Sequence, residues 1–424
     1  MALLSTAISL QGLNFVVNEC HSYSFIDINS ITIKAMKFFL KMRLRRVLSL
    51  SILVLSPWIV GVGLKGCHST TDSALVIAQE SLDLDGQEAA IADIRSTLEQ
   101  LESEGLYGVV QLKDGESVLI HEGLGLRDRE SSDPIETTTG FDIGSLTKAM
   151  TAATVLKLEE QGALRLSDPV RLFFPEAPSP LREATVQQLI EHRAGLPEYL
   201  GEDTELLTKE QALERLFAAE LDFAPGSDEA YSNAGYSLLA AIVEATANQP
   251  FEQAMHEAIF LPAGIDSIGY RLAGWEKERL AVGYVEGERT GTPLDQPWLD
   301  DGPSWTLRGN GGLIATAEDT ADWFDAMFAG RILGPAALAQ FKAWFASSGP
   351  YGVRVGEAGG DDLTGFNAQY EAWPDVGISW TMFTSRSDYL AEDVWEAVED
   401  PVEQLLEPVL SPEDSTTEEE EEES

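Results

Sequence analysis

The stretch FDIGSLTKAMTA, residues 141–152, places Ser145 and Lys148 three positions apart at the head of a run rich in Ala, Leu, Lys and Glu that stops at Gly162. That composition predicts a helix over 145–162 ended by a glycine, and a spacing of three puts both side chains on one helical face. A serine hydroxyl attacks poorly until a base takes its proton, and a lysine amine can be that base only if burial or a neighbouring charge lowers its pKa. The helix N-terminus adds backbone N–H groups and the positive end of the peptide dipole, which favour an oxyanion beside the serine. Alone, Ser-x-x-Lys is weak: a chain of 424 residues yields roughly one match by chance, and a helix cap followed by a surface lysine has the same spelling.

A second motif, Tyr231-Ser232-Asn233 in FAPGSDEAYSNAGYSLLA (residues 223–240), follows a Pro-Gly turn and opens another helix. A phenol near an ammonium group exchanges protons with it, and an Asn amide can hold both the lysine and a substrate carbonyl. Ser232 or Asn233 would equally serve as a plain helix cap.

Working outward, Ile91, Ile94, Leu98 and Leu101 recur at helical spacing and predict a helix over 87–104. YGVVQLKDGESVLIHEGLGLRD (107–128) predicts a hairpin about Lys113-Asp114-Gly115. Residues 163 to about 300 read as mostly helical, with patches at 208–220 and 235–261. Strands at 351–357, 364–373 and 376–384 then precede a helix over 387–408. This order predicts an α/β (α+β) fold: an antiparallel sheet built from both chain ends, flanked by helices, with a mostly helical domain inserted and a cleft at the junction.

The two motifs, together with LIEHRAGLPEY (189–199), IFLPAGID (259–266) and GNGGLIATAEDTADWFDAM (309–327), resemble in order and spacing the class C β-lactamase, DD-peptidase and esterase superfamily of penicillin-recognising serine hydrolases over about residues 88–408. LIEHRAGLPEY looks like that family's His-Thr-Ser-Gly-Leu-Pro segment. The resemblance implies a β-lactamase/transpeptidase-like fold and an acyl-enzyme on Ser145, with no metal or organic cofactor. It makes Lys148 the proton acceptor or the group that tunes the site. Tyr231 becomes the base that activates water for deacylation and protonates the leaving group, and Asn233 a substrate-positioning residue. The family's third element, His-x-Gly or Lys-x-Gly, falls on Glu357-Ala358-Gly359 when Gly365-Phe366 is matched to the family's Gly-Phe pair. The backbone N–H of Gly360 then joins that of Ser145 in an oxyanion hole.

Here the chain departs from its relatives. Glu357 sets an anion where they have a cation or hydrogen-bond donor, and Ala358 lacks the hydroxyl often present beside it. A penicillin or a peptide ending in D-alanine would lose the partners of its carboxylate and meet repulsion. The expected substrate is therefore an ester, or an amide bearing an amine; the competing reading is a weak or inactive lipoprotein of this fold that binds cell-envelope peptides or a partner. His192 reads as a hydrogen-bonded loop residue and not as a member of a Ser-His-Asp triad. Trp298, Trp305 and Trp323 read as core. Gly309, Gly311 and Gly312 read as a turn before a helix.

Composition sets the outer limits. With 28 basic and 71 acidic residues the net charge is -43, which excludes a nucleic-acid binder that works by neutralising phosphates. Hydrophobic residues at 44% and charged residues at 23% are ordinary for a globular chain. Two cysteines and five scattered histidines offer neither a disulfide framework nor metal-ligand spacing.

Residues 1–66 hold seven basic and two acidic side chains, and RLRR before the apolar run Val47 to Gly63 has the layout of a secretory signal. Residues 1–35 look like an upstream start, since translation from Met36 or Met42 gives an ordinary signal. Leu64-Lys65-Gly66-Cys67 resembles a lipobox with Cys67 as the acylated residue. Lipoprotein, plain cleavage and uncleaved anchor stay open, and all three predict a periplasmic or cell-surface location. Residues 67–86 read as an acidic tether and 87–408 as the folded domain (α/β part 87–144 and 305–408, helical part 145–304). Residues 409–424, ending in EEEEEES, read as an acidic disordered tail. The expected partners are a small ester, amide or peptide substrate and, through the N-terminus, a membrane.

Overall fold

The computed structural model describes residues 71–349, 351–360 and 363–406, with side chains from residue 86 onward. The signal-like segment, Cys67 and the acidic tail lie outside the described residues. No helix among the described residues is long and apolar enough to cross a membrane.

The first helix, α1 (Thr71–Glu104), begins inside the stretch read as a tether. Its early turns are rich in Ala, Leu, Glu and Gln with no proline, so nothing in them opposes helix. The hairpin follows as β1 (Gly108–Asp114) and β2 (Ser117–Leu124), turning at Gly115 with φ 55°. The other end of the chain supplies β3 (Ala346–Gly349), β4 (Gly352–Gly360), β5 (Asn367–Trp373) and β6 (Ile378–Thr384). One sheet results, in the order β3-β4-β5-β6-β1-β2 and antiparallel throughout. β6 closes the two ends together, with Gly108 opposite Thr384 and Asp114 opposite Ile378. The edge strand β3, ASSG, lies outside the predicted strands, because two serines between an alanine and a glycine carry no apolar alternation.

The period of two sorts the central strands onto two cores. Val110, Leu112, Trp380 and Met382 face α1 and the last helix, α7 (Ala391–Leu406). Val109, Phe383, Ala368 and Tyr370 face the remaining helices. The longer of these are α2 (Leu146–Glu160), α3 (Lys209–Ala218), α4 (Asn233–Ala247), α5 (Ala317–Phe328) and α6 (Pro335–Phe345), beside the short helices Val186–Ile190 and Phe251–Met255. α2 is buried nearly all round, so even Thr147, Thr151 and Thr154 are inaccessible, and it packs on α4 and α6. The long helix expected over 235–261 is interrupted. Asn248 at φ 53° ends α4, and Pro250 starts a separate series of short turns. The middle section also holds a small hairpin, Gly283–Val285 with Glu288–Gly291.

The Trp380 ring is wholly buried against Trp395 at 5.9 Å. Trp380→Ala is expected to cost about 3–5 kcal/mol, read as a lowered denaturation midpoint with an unchanged m-value.

Candidate active site

Ser145 is delivered by a short ladder, a glycine turn and a helix. Phe141 and Asp142 pair antiparallel with Ala315 and Ile314. Ile143 N–H then donates to Leu313 O, and Gly144 N–H to Asp142 Oδ1. Gly144 sits at φ 50°, which turns the chain sharply into α2. Ser145 occupies the N-cap position, yet its side chain makes no capping bond. Its partly exposed hydroxyl instead accepts from Lys148 Nζ at 2.9 Å and lies 2.7 Å from Tyr231 Oη.

Lys148 is 4% exposed. Its amine donates to Asn310 O at 2.8 Å as well as to Ser145, and lies 4.9 Å from the Tyr231 ring centroid. Burial pulls its pKa from 10.5 down to about 7, against the opposing pull of Asp203 and Glu357. Burial raises the Tyr231 phenol above its ordinary value, offset in part by the hydrogen bond to Ser145.

The Tyr231 loop is held by the segment 192–198. Ser232 caps α4 by accepting from Gly235 N–H, while its hydroxyl donates to Pro197 O at 2.7 Å. Asn233 N–H donates to Glu198 O. His192 accepts from Ser232 N–H at Nδ1 and packs against Tyr231, with ring centroids 4.7 Å apart and planes tilted by 30°. Burial and the nearby Lys148 push the imidazole down to about 4, so it stays neutral and holds the phenol's loop. The Asn233 side chain lines a cavity, but the lysine's partners are Ser145 and the Asn310 carbonyl, where the sequence reading had an Asn amide.

β4 passes directly behind Ser145. A Cβ on Gly359 would lie 2.3 Å from Ser145 N, and one on Gly144 would lie 2.9 Å from Gly360 N, so bare backbone is required at both positions. Two cavities meet at Ser145 and Tyr231. The larger, 680 Å³, is bordered by Asn233, Gly360 and the loop 199–203; the smaller, 460 Å³, by Lys148, Glu357 and Ala358. Glu357 is not the anion its position suggested: burial and the neighbouring Glu371 push its carboxyl up to about 8, so it is mostly a neutral acid at pH 7.

The profile of the beta-lactamase family matches residues 94–394. The chain belongs to the beta-lactamase family. It is 30% identical over 234 residues to a protein named penicillin-binding protein PbpX in Bacillus subtilis (strain 168), covering 55% of this chain and 57% of that one. Esterase EstB of Burkholderia gladioli is 33% identical over 210 residues, 44% of this chain and 53% of the other. The chain thus spans about half the length of the curated relatives it matches. A crystal structure of a penicillin-binding protein from Bacillus halodurans shares the fold at a TM-score of 0.62 and 22% identity, covering 72% of this chain and 99% of that one. D-amino acid amidase from Ochrobactrum anthropi SV3 does so at 0.61 and 22%, covering 76% and 98%. Relatives of this beta-lactamase-family chain thus carry the names of penicillin-binding proteins and of an esterase.

Other features of this beta-lactamase-family site escaped the sequence reading. Asn310 is one: its side chain donates to Ser237 Oγ and Thr306 O, which aims its carbonyl at Lys148. Trp344 is another, on α6 and lining the smaller cavity. Trp305 and Trp323 are buried as expected, and Trp298 is partly buried beneath the Arg271 guanidinium. Among the described residues no cluster of His, Cys, Asp or Glu could hold a metal ion.

Gly359→Ala is expected to push β4 off Ser145 N and slow fluorophosphonate labelling at least ~10-fold, as removal of an oxyanion donor does. The far-UV circular dichroism should be unchanged.

Proposed function

We propose that the chain is an exported serine hydrolase that forms an acyl-enzyme on Ser145 with an ester or amide lacking a carboxylate near the scissile bond. The observation that carries this reading is the convergence of Ser145 Oγ with Lys148 Nζ at 2.9 Å and Tyr231 Oη at 2.7 Å. The neutral Lys148 amine takes the Ser145 proton as Oγ attacks the carbonyl carbon. The tetrahedral oxyanion is held between the N–H groups of Ser145 and Gly360. Tyr231 protonates the departing alcohol or amine as its bond to carbon breaks. In the second half-reaction Tyr231 removes a proton from water, water oxygen bonds to the acyl carbon, and Ser145 leaves with its proton restored. Asn233 orients the substrate from the wall of the larger cavity. Export is supported by the basic-then-apolar layout before Cys67, which also allows a lipid anchor there.

Glu357 supports the choice of substrate. As a neutral acid near pH 7 it can donate one hydrogen bond to a penicillin or D-alanyl carboxylate but offers no positive charge, and above about 8 it becomes an anion that repels one. Nitrocefin turnover is accordingly expected to be weaker than cleavage of short-chain nitrophenyl esters, and to fall further as pH rises through about 8.

Fluorophosphonate should label the wild type and not Ser145→Ala; no labelling of either would remove the proposal. Because the folded pKa of Lys148 is lowered to about 7, kcat/KM should rise with pH through about 7 as the amine loses its proton. Lys148→Arg, which stays charged, should lose that limb and at least ~100-fold of rate, the range of a general base.

A further inference from the structure

The smaller cavity, on the Glu357 side of Ser145, is walled by Glu191, Glu229, Glu357 and aromatic rings. Among the described residues neither Glu191 nor Glu229 has an ion-pair partner; Glu191 accepts from Gln187 Nε2 at 2.7 Å. Arg193, which also borders the space, donates its guanidinium to Gly226 O at 3.0 Å. Trp344 is oriented by its Nε1, which donates to Glu191 Oε1 at 3.2 Å, so a carboxylate sits at the edge of an indole within one cavity. The Tyr231 and Tyr236 rings flank the Lys148 amine, whose Nζ stands 4.9 Å from the first centroid and 5.7 Å from the second. Ring faces and carboxylates attract a weakly hydrated cation and repel an anion. The net charge of -43 adds a long-range field of the same sign.

We infer that this cavity receives an alkylammonium group of the substrate, held between the Trp344 indole and the carboxylates of Glu191 and Glu229, with the Glu357 acid at the Ser145 end. The inference rests on the hydrolase reading for its meaning as a substrate subsite, but the binding itself does not depend on turnover. It narrows the substrate class to esters or amides that carry a cationic group beside the scissile bond.

Calorimetry on the Ser145→Ala protein compares choline with its uncharged isostere 3,3-dimethyl-1-butanol. Choline is expected to bind at least ~10-fold more tightly, a contrast within reach of cation–π and carboxylate contacts acting together. Trp344→Ala and the double variant Glu191→Gln/Glu229→Gln should each erase most of the contrast, while Trp344→Phe keeps part of it. Equal binding of the two probes, or a contrast untouched in both the Trp344→Ala and the double variant, overturns the inference. Fluorophosphonate labelling of the wild type separates the two claims. Labelling without a choline preference removes the subsite alone; a choline preference without labelling removes the hydrolase and leaves a cation-binding cavity.

Discussion

Everything in this molecule is arranged around one buried amine. Lys148 lies on the most enclosed helix of the fold, with its nitrogen between an alcohol and a backbone carbonyl. Lowering its pKa from 10.5 to about 7 costs the charged form about 5 kcal/mol relative to water. A penalty of that size persists only where the surroundings cannot relax. The packing of α2 on α4 and α6 supplies the rigidity, and the loop after Arg308 supplies the acceptor.

That loop is itself fastened from several sides. Thr151 donates to Gly309 O, Tyr270 donates to Gly311 O, and Asn310 reaches Ser237 on α4. The phenol is fixed independently, through Ser232 and the His192 ring beneath it. Ser145 and Lys148 on one chain segment thus meet Tyr231 from a second and the Asn310 carbonyl from a third, each segment anchored to a different neighbour. Catalytic geometry of this kind depends on supports that never touch the substrate.

Much of the site was legible in the sequence because its side chains are spelled out: Ser145, Lys148 and Tyr231 belong to motifs whose spacing carries their chemistry. The strands were legible because alternation at 378–384 and 108–114 survives burial on both faces. What stayed hidden was whatever depends on the backbone or on contacts distant in sequence. The Asn310 carbonyl is chemically identical to any other, so no residue type announces it. Glu357 reads as an anion until its surroundings are known, and only enclosure beside Glu371 makes it a neutral acid. Trp344 looks like ordinary core until α6 is seen to carry it to a cavity wall. β3 was invisible because ASSG has the composition of a loop, and pairing with β4 holds it extended.

The seam between Gly144 and Gly359 has a genetic consequence. Two segments more than two hundred positions apart meet there through main-chain atoms alone, with neither contributing a side chain that could be trimmed. A bulky replacement on one side finds nothing removable on the other. Second-site suppressors across this contact should be scarce, and lineages that lose either glycine should regain function by restoring it.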